Sequence, residues 1–384
     1  MNETLNTLVK RFDARVLELN RREARVRLEG PGVGEWDAVL RDGTARLEAA
    51  DGKAPDAIIS ADGRTWHQLA TNLRGGMDAF RAGRLTVRRD LHLGVGFLAA
   101  TAGTDGDEAA LRFIGVETEI GEISTMQAGS GSPVVLLHGL GATKASFLPT
   151  LAALADHHRV IAIDLPGFGD SAKPLNAPYH APFFARSVVG LLDALGLERA
   201  DVVGNSMGGR IAIEMGLRHP DRARRLALLA PSLAWLRDRP WAPLLRLIPP
   251  QLGAIQPAPR PIVEGIVRRL VPGGAEGWSA AGVDEFLRSY LTPNGRAAFY
   301  AAARNIYLEE PHGEKGFWTR LPRLEVPSLF VWGRHDQLVP LRFADHVREA
   351  LPKARHLELN CGHVPQLERP QVVHDALRRF LAEE

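Results

Sequence analysis

Five short apolar runs in the second two-thirds of the chain, each stopped by Gly, Ser or Asp, constrain its fold more than any other feature. They read "PVVLLHG", "RVIAIDLPG", "ADVVGNS", "RRLALLAPS" and "PSLFVWG". Runs without polar alternation are what strands buried on both faces require. Helical stretches such as "FARSVVGLLDALGL" and "RIAIEMGLRHP" lie between them. Strand, tight turn and helix in repetition predict an α/β fold, a mostly parallel sheet with helices on both faces. From about residue 233 to 325 the alternation stops, and "WLRDRPWAPLLRLIPPQLGAIQPAPRPIVEGIVRRL" opens a helical insertion without a strand signal.

The first hundred residues have a different texture. "EWDAVLRDGTARLEAADGKAPDAIISADG" reads as short alternating strands joined by Asp-Gly and Gly-Lys turns, an antiparallel meander. "RTWHQLATNLRGGMDAFRAGRLTVRRD" then predicts two short helices broken at Gly75-Gly76, followed by a strand. This is a small α+β domain over 1–103. Small and acidic residues mark a linker at 104–111, and the α/β domain with its helical cap fills 112–384.

Composition narrows the function. A chain of 384 residues with 45% hydrophobic and 24% charged residues has the profile of a globular protein. Its formal net charge of +2 is spread along the chain, so no concentrated basic face is available for nucleic acid. The start, "MNETLNTLVKRFDARV", has charges where a signal peptide needs an apolar core, and no apolar run approaches about 18 residues. A cytoplasmic protein without a membrane span is expected. The single cysteine, Cys361, excludes an internal disulfide.

One of the five runs ends in "GNSMGG". A GxSxG between a strand and a helix makes a sharp turn that pushes the serine hydroxyl outward as a nucleophile. The helix after it presents a backbone N–H and the positive end of its dipole to a developing oxyanion. Ser206 is therefore the candidate nucleophile. It needs a base, and the base needs an orienting carboxylate. In chain order "FVWGRHDQLVP" supplies Asp336 after a strand, and "HLELNCGHVPQLERP" supplies His363 after the last one. Asp238 is the fallback acid. His335 precedes the final strand and is a poor base. "LLHGLG" places a turn after the first of the buried runs, making the amides of Leu140 and Met207 the expected oxyanion donors, with His138 bracing the loop. "DLPGFGDS" reads as a structural turn ordered by Asp164 and Asp170. No HExxH, paired CxxC or Walker loop is present, so no metal or nucleotide cofactor is expected.

"HGLG", "DLPGFGDS", "GNSMGG", "GRHDQLVP" and "CGHVPQLERP", in that order, resemble the α/β-hydrolase superfamily across about 112–384. Within it, "GNSMGG" and "CGH" look like the meta-cleavage-product C–C hydrolases, which typically carry a Trp after the catalytic His where this chain has Val364. The serine elbow differs from the Asp of the dehalogenase and epoxide-hydrolase branches. Residues 12–100, with "PDAIISADGRTWHQLA" and "FRAGRLTVRRD", resemble the sterol-carrier-protein lipid-transfer domain, although Arg89 stands where that family usually keeps a glycine. The first resemblance implies a serine carboxylic-ester hydrolase acting on a small-molecule apolar ester, with C–C hydrolysis of a vinylogous dienoate as the alternative. The second implies an apolar lipid cavity, leaving open a lipid-binding protein on a vestigial hydrolase scaffold. Assembly into a homo-oligomer stays open.

Overall fold

In the computed structural model, residues 2–19, 21–71, 79, 84–102, 111–233, 249–270 and 277–383 are described. The helix break at Gly75-Gly76, nearly all of the linker, Asp238 and the first part of "WAPLLRLIPPQLGAI" lie outside them. The chain divides into two compact units. One comprises Met1–Ile114 with Ala258–Arg288, the other Gly115–Pro257 with Ser289–Glu384.

In the second unit the apolar runs form a sheet because their side chains are wanted on both faces. β8 (Ser132–Leu137), β9 (His158–Ile163), β10 (Ala200–Asn205), β11 (Ala223–Leu229), β12 (Ser328–Gly333) and β13 (Arg355–Leu359) lie parallel in the order 13-12-11-10-8-9. Val134–Leu137, Val160–Ile163 and Leu226–Leu229 are all fully buried. Two strands absent from the sequence reading extend the sheet: β7 (Ile123–Ala128), antiparallel to β9, and β6 (Arg112–Val116), in which the chain crosses from one unit to the other. β7 reads "ISTMQA", too polar to register as a buried strand, yet all six of its residues are buried. Its polar groups find partners: the Ser124 N–H donates to Ser171 Oγ at 2.8 Å and Gln127 Nε2 donates to Thr125 Oγ1 at 3.0 Å.

The first unit is built on a five-stranded sheet, β1 (Glu23–Glu29), β2 (Trp36–Arg41), β3 (Thr44–Ala49), β4 (Ala57–Ala61) and β5 (Leu85–Arg88), in the order 3-2-1-4-5. This corrects the expected meander: β1 lies parallel to β4, while β1–β2, β2–β3 and β4–β5 are antiparallel. The sequence hides β1 because "EARVRLE" alternates Arg with apolar residues. Arg25 Nη1 and Arg27 Nε donate to the fully buried Asp37 on β2, at 3.1 and 2.7 Å. Val26 and Leu28 meanwhile turn into the core with Leu40, Ile59, Trp66 and Phe97.

Among its described residues the insertion holds no strand; helices Leu252–Ile255, Arg260–Leu270, Gly277–Tyr290, Pro293–Tyr307 and Phe317–Arg320 alternate with irregular chain, the longest such stretch being 308–316. Residues 258–288, however, cluster with the N-terminal unit. The reason is ionic. Arg88 Nε donates to Asp284 Oδ2 at 2.7 Å, the Arg89 N–H donates to the same oxygen at 2.9 Å, and the Leu91 N–H donates to Glu285 Oε1 at 2.7 Å. Leu91 opens the helix Leu91–Ala100, so a carboxylate satisfies an amide that has no acceptor within its own helix. Arg89 sits at φ 71°, the left-handed region that favours glycine. Its amide is held by Asp284 and its guanidinium donates to the Pro55 carbonyl at 2.6 Å, which keeps an arginine in that conformation.

Candidate active site

β10 runs straight into the turn at Ser206, which has φ 53° and ψ −114°. This is a sparsely populated conformation for a residue with a Cβ, at a cost of roughly 1–3 kcal/mol that the surrounding packing must offset. The glycines of "GNSMGG" make that packing feasible. A Cβ at Gly204 would sit 2.3 Å from the Gly208 carbonyl oxygen, one at Gly208 would sit 2.0 Å from the Leu137 oxygen, and one at Gly209 would sit 2.8 Å from Pro231 Cβ. The turn, β8 and the segment after β11 thus close on one another with no room for side chains.

Three residues from separate strand ends meet at this turn. His363 Nε2 lies 2.8 Å from Ser206 Oγ, and His363 Nδ1 lies 2.7 Å from Asp336 Oδ2. The other carboxylate oxygen, Oδ1, accepts the amides of Leu338 and Val339 at 2.8 and 2.9 Å. With the Asp336 side chain buried and both its oxygens engaged, the carboxylate can only accept, so Nδ1 of His363 carries the proton and Nε2 faces the serine as an acceptor. Ser206 is 4% exposed, and the His363 side chain keeps 20% of its surface open.

The "HGLG" turn reaches the same place. A Cβ at Gly139 would stand 3.3 Å from Ser206 Cβ. Among the described residues, no backbone acceptor engages the amides of Leu140 or Met207. His138 is fully buried; its Nδ1 donates to the Gly139 carbonyl at 2.7 Å and its Nε2 accepts from the Leu165 N–H at 2.9 Å. Burial pushes the pKa of this imidazole down, which suits a brace with one donor and one acceptor.

Three contributions escaped the sequence reading. Asn205 Nδ2 donates to the carbonyls of Leu229 and His363, at 3.0 and 3.2 Å, tying the elbow to the end of β11 and to the histidine loop. Lys144 is 1% exposed and donates through Nζ to Asp164 at 2.6 Å and Ser124 Oγ at 3.0 Å, with Asp170 3.4 Å away. Burial works against the charge of Asp164, but Lys144 prevails and leaves its carboxyl below the usual range. The third is Ser232, whose Oγ lies 3.1 Å from Ser206 Oγ. A lysine in "GATKASF" and a serine in "LLAPSL" carry no spacing signal; only the polar dipeptide Asn205-Ser206 at the end of an apolar run could have drawn attention to Asn205. Cys361, two residues from His363, is no rival nucleophile: burial pushes its thiol up to about 11.

Residues 132–370 match the profile of the alpha/beta hydrolase fold, and the chain belongs to that family. Residues 3–98 match the SCP-2 sterol transfer family. The chain is 30% identical over 271 residues to a 2-hydroxymuconate semialdehyde hydrolase from a Pseudomonas species, covering 67% of this chain and 89% of the relative. It is 28% identical over 261 residues to a pimeloyl-[acyl-carrier protein] methyl ester esterase from Aeromonas hydrophila, covering 67% and 99%. Among solved structures, the enol-lactonase from Burkholderia xenovorans LB400 superposes with a TM-score of 0.59 at 24% identity, over 70% of this chain and 100% of that one, a likeness of fold.

Proposed function

We propose that the protein is a serine hydrolase that cleaves carboxylic esters of apolar acyl groups through an acyl-enzyme. The observation that carries this reading is the unbroken relay from Asp336 through His363 to a serine held in a strained turn. His363 takes the Ser206 proton as Oγ attacks the ester carbonyl, and the amides of Leu140 and Met207 receive the oxyanion. Collapse of the tetrahedral adduct expels the alcohol, which takes the proton from His363. Water, deprotonated by His363, then attacks the acyl-enzyme and releases the acid. The methyl ester esterase among the relatives supports this choice of bond.

A second reading, C–C hydrolysis of a dienoate, draws on the semialdehyde hydrolase relative. The N-terminal domain would supply an apolar lipid site, in keeping with its SCP-2 match. A panel of p-nitrophenyl esters of C2 to C16 acids, run beside a meta-cleavage dienoate, separates the readings. Ester turnover without dienoate turnover is expected. Dienoate cleavage at a higher kcat/KM than any ester would transfer the assignment to C–C hydrolysis, and turnover of neither would favour the lipid-binding scaffold.

A further inference from the structure

β11 ends at Leu229, and the chain then bends sharply through Ala230, at φ 45°. The bend is tied on both sides: the Ala230 N–H donates to the Val331 carbonyl at 2.8 Å and the Ser206 N–H donates to the Leu229 carbonyl at 2.9 Å. Pro231 fits against Gly209, where a side chain would collide with it. Ser232 arrives next to the nucleophile, its own N–H donating to the Ser206 carbonyl at 2.9 Å. It is 1% exposed. The second glycine of "GNSMGG" therefore makes room for a segment whose outcome is a second hydroxyl on the nucleophile, Oγ to Oγ at 3.1 Å.

Proton counting decides the direction of this bond. Asp336 accepts from Nδ1 of His363, so with the imidazole neutral Nε2 is an acceptor. Ser206 has one proton, and it is donated to Nε2. Toward Ser232, Ser206 Oγ can only accept, so a proton shared between the two hydroxyls comes from Ser232.

We propose that Ser232 is a further catalytic residue, an O–H donor to the nucleophile oxygen whenever that oxygen carries negative charge; this rests on Ser206 being the nucleophile. During acylation the Ser206 proton passes to His363 while Oγ bonds to the carbonyl carbon, and the Ser232 bond strengthens as charge gathers on Oγ. During deacylation water adds to the acyl carbon, the bond from that carbon to Oγ breaks, and the electron pair stays on Oγ, which recovers its proton from His363. Ser232 then stabilises the leaving oxygen. Its own proton is lent, never transferred. Leu140 and Met207 attend to the carbonyl oxygen, and Ser232 attends to the serine oxygen, so the two sets of donors act on different atoms of the same adduct.

The test uses the full-length protein and a fluorophosphonate, which reports the attack of Ser206 on phosphorus with loss of fluoride, together with the burst and steady state of p-nitrophenyl acetate. Ser232→Ala removes one atom. It should slow the maximal phosphonylation rate and both phases of ester turnover by roughly tenfold, the worth of one donor to a charged acceptor, while KI for the probe and the melting temperature stay put. Ser232→Thr, which keeps the hydroxyl, should restore most of the rate if it melts like the wild type; if it does not, Ser232→Cys, a weaker donor, should fall between wild type and Ala. Wild-type rates in Ser232→Ala would overturn the proposal, as would a loss carried by KI or by a lowered melting temperature. Ser206→Ala is the separate control. If it still reacted with the probe, the nucleophile reading would fall first; if it were silent while Ser232→Ala reacted at full speed, only the role of Ser232 would fall.

Discussion

One ion pair in the unit that holds the elbow and one in the unit that holds the N-terminal sheet are built in different ways. In the first, Lys144 and Asp164 come from strand-end loops 20 residues apart, and both side chains are sealed from solvent. In the other, Arg88 meets Asp284 across 196 residues of sequence, and the pair is partly open, with 37% of the Arg88 side chain exposed. A short connection lets a βα loop build its own polar network where chemistry needs rigidity. A long one lets a domain borrow a segment, here 258–288, that the order of the chain assigns to the neighbouring domain. Proximity in sequence is a guide to the site and a poor guide to the boundary of a unit.

Ser206→Ala should lower ester turnover by about 10⁴-fold or more, with an unchanged or higher melting temperature, because the turn is held by packing around its glycines. A stability loss in that variant would mean that the hydroxyl helps to hold the elbow.

Next in size is Lys144→Met, which leaves the fully buried Asp164 without its cation. Removing one partner of a buried ion pair costs about 3–5 kcal/mol. Chemical denaturation should register that, and a loss under about 1 kcal/mol would show that this cluster is no more critical than a surface pair.

Acid should discriminate a third feature. Glu214, with a fully buried side chain, opposes its own charge by burial, yet Arg210, Arg218 and Arg320 around it hold its carboxyl down to about 2. A folded pKa depressed below the ordinary 4.5 of a glutamate contributes stability that is fully present above 4.5 and lost as pH falls through about 2. Wild-type melting temperature should therefore drop across that window, and Glu214→Gln, less stable at pH 7, should show a flatter acid limb. Parallel limbs would disconnect the cluster from acid denaturation.

The smallest effect is expected from Asp284→Asn. Arg88 and Arg89 hold the Asp284 carboxyl below the usual range against the penalty of burial. The amide keeps one acceptor but loses the charge, and the exposure of Arg88 limits the damage to about 1–2 kcal/mol. Limited proteolysis should then cut within 258–288 sooner than in the wild type while p-nitrophenyl acetate turnover stays intact. Unaltered cleavage would imply that this segment is held by its apolar face alone.

Much of the site lies on the surface of the sequence. Ser206 and Asp336 each follow an apolar run and His363 follows the last strand, and a chain leaving a parallel strand must turn at once, so the three candidates stand out as polar residues after strand ends. Arg89 also left a trace, an arginine where the resemblance calls for glycine, and φ 71° explains why that position is unusual.

What the linear order could not contain is everything that depends on which strand ends become neighbours. β1 and β7 were hidden because their polar residues are buried only once partners arrive from elsewhere, Asp37 for Arg25 and Arg27, and Ser171 for the Ser124 amide. Ser232 gained its place because the glycine at 209 admits Pro231, a fit with no signature along the chain. The assignment of 258–288 to the N-terminal unit was decided by carboxylates finding orphan amides in space. Hydrophobic period and turn chemistry are local properties, and the sequence alone determined what they govern. Close approach and the satisfaction of buried polar groups are pairwise, and only the tertiary structure chose the pairs.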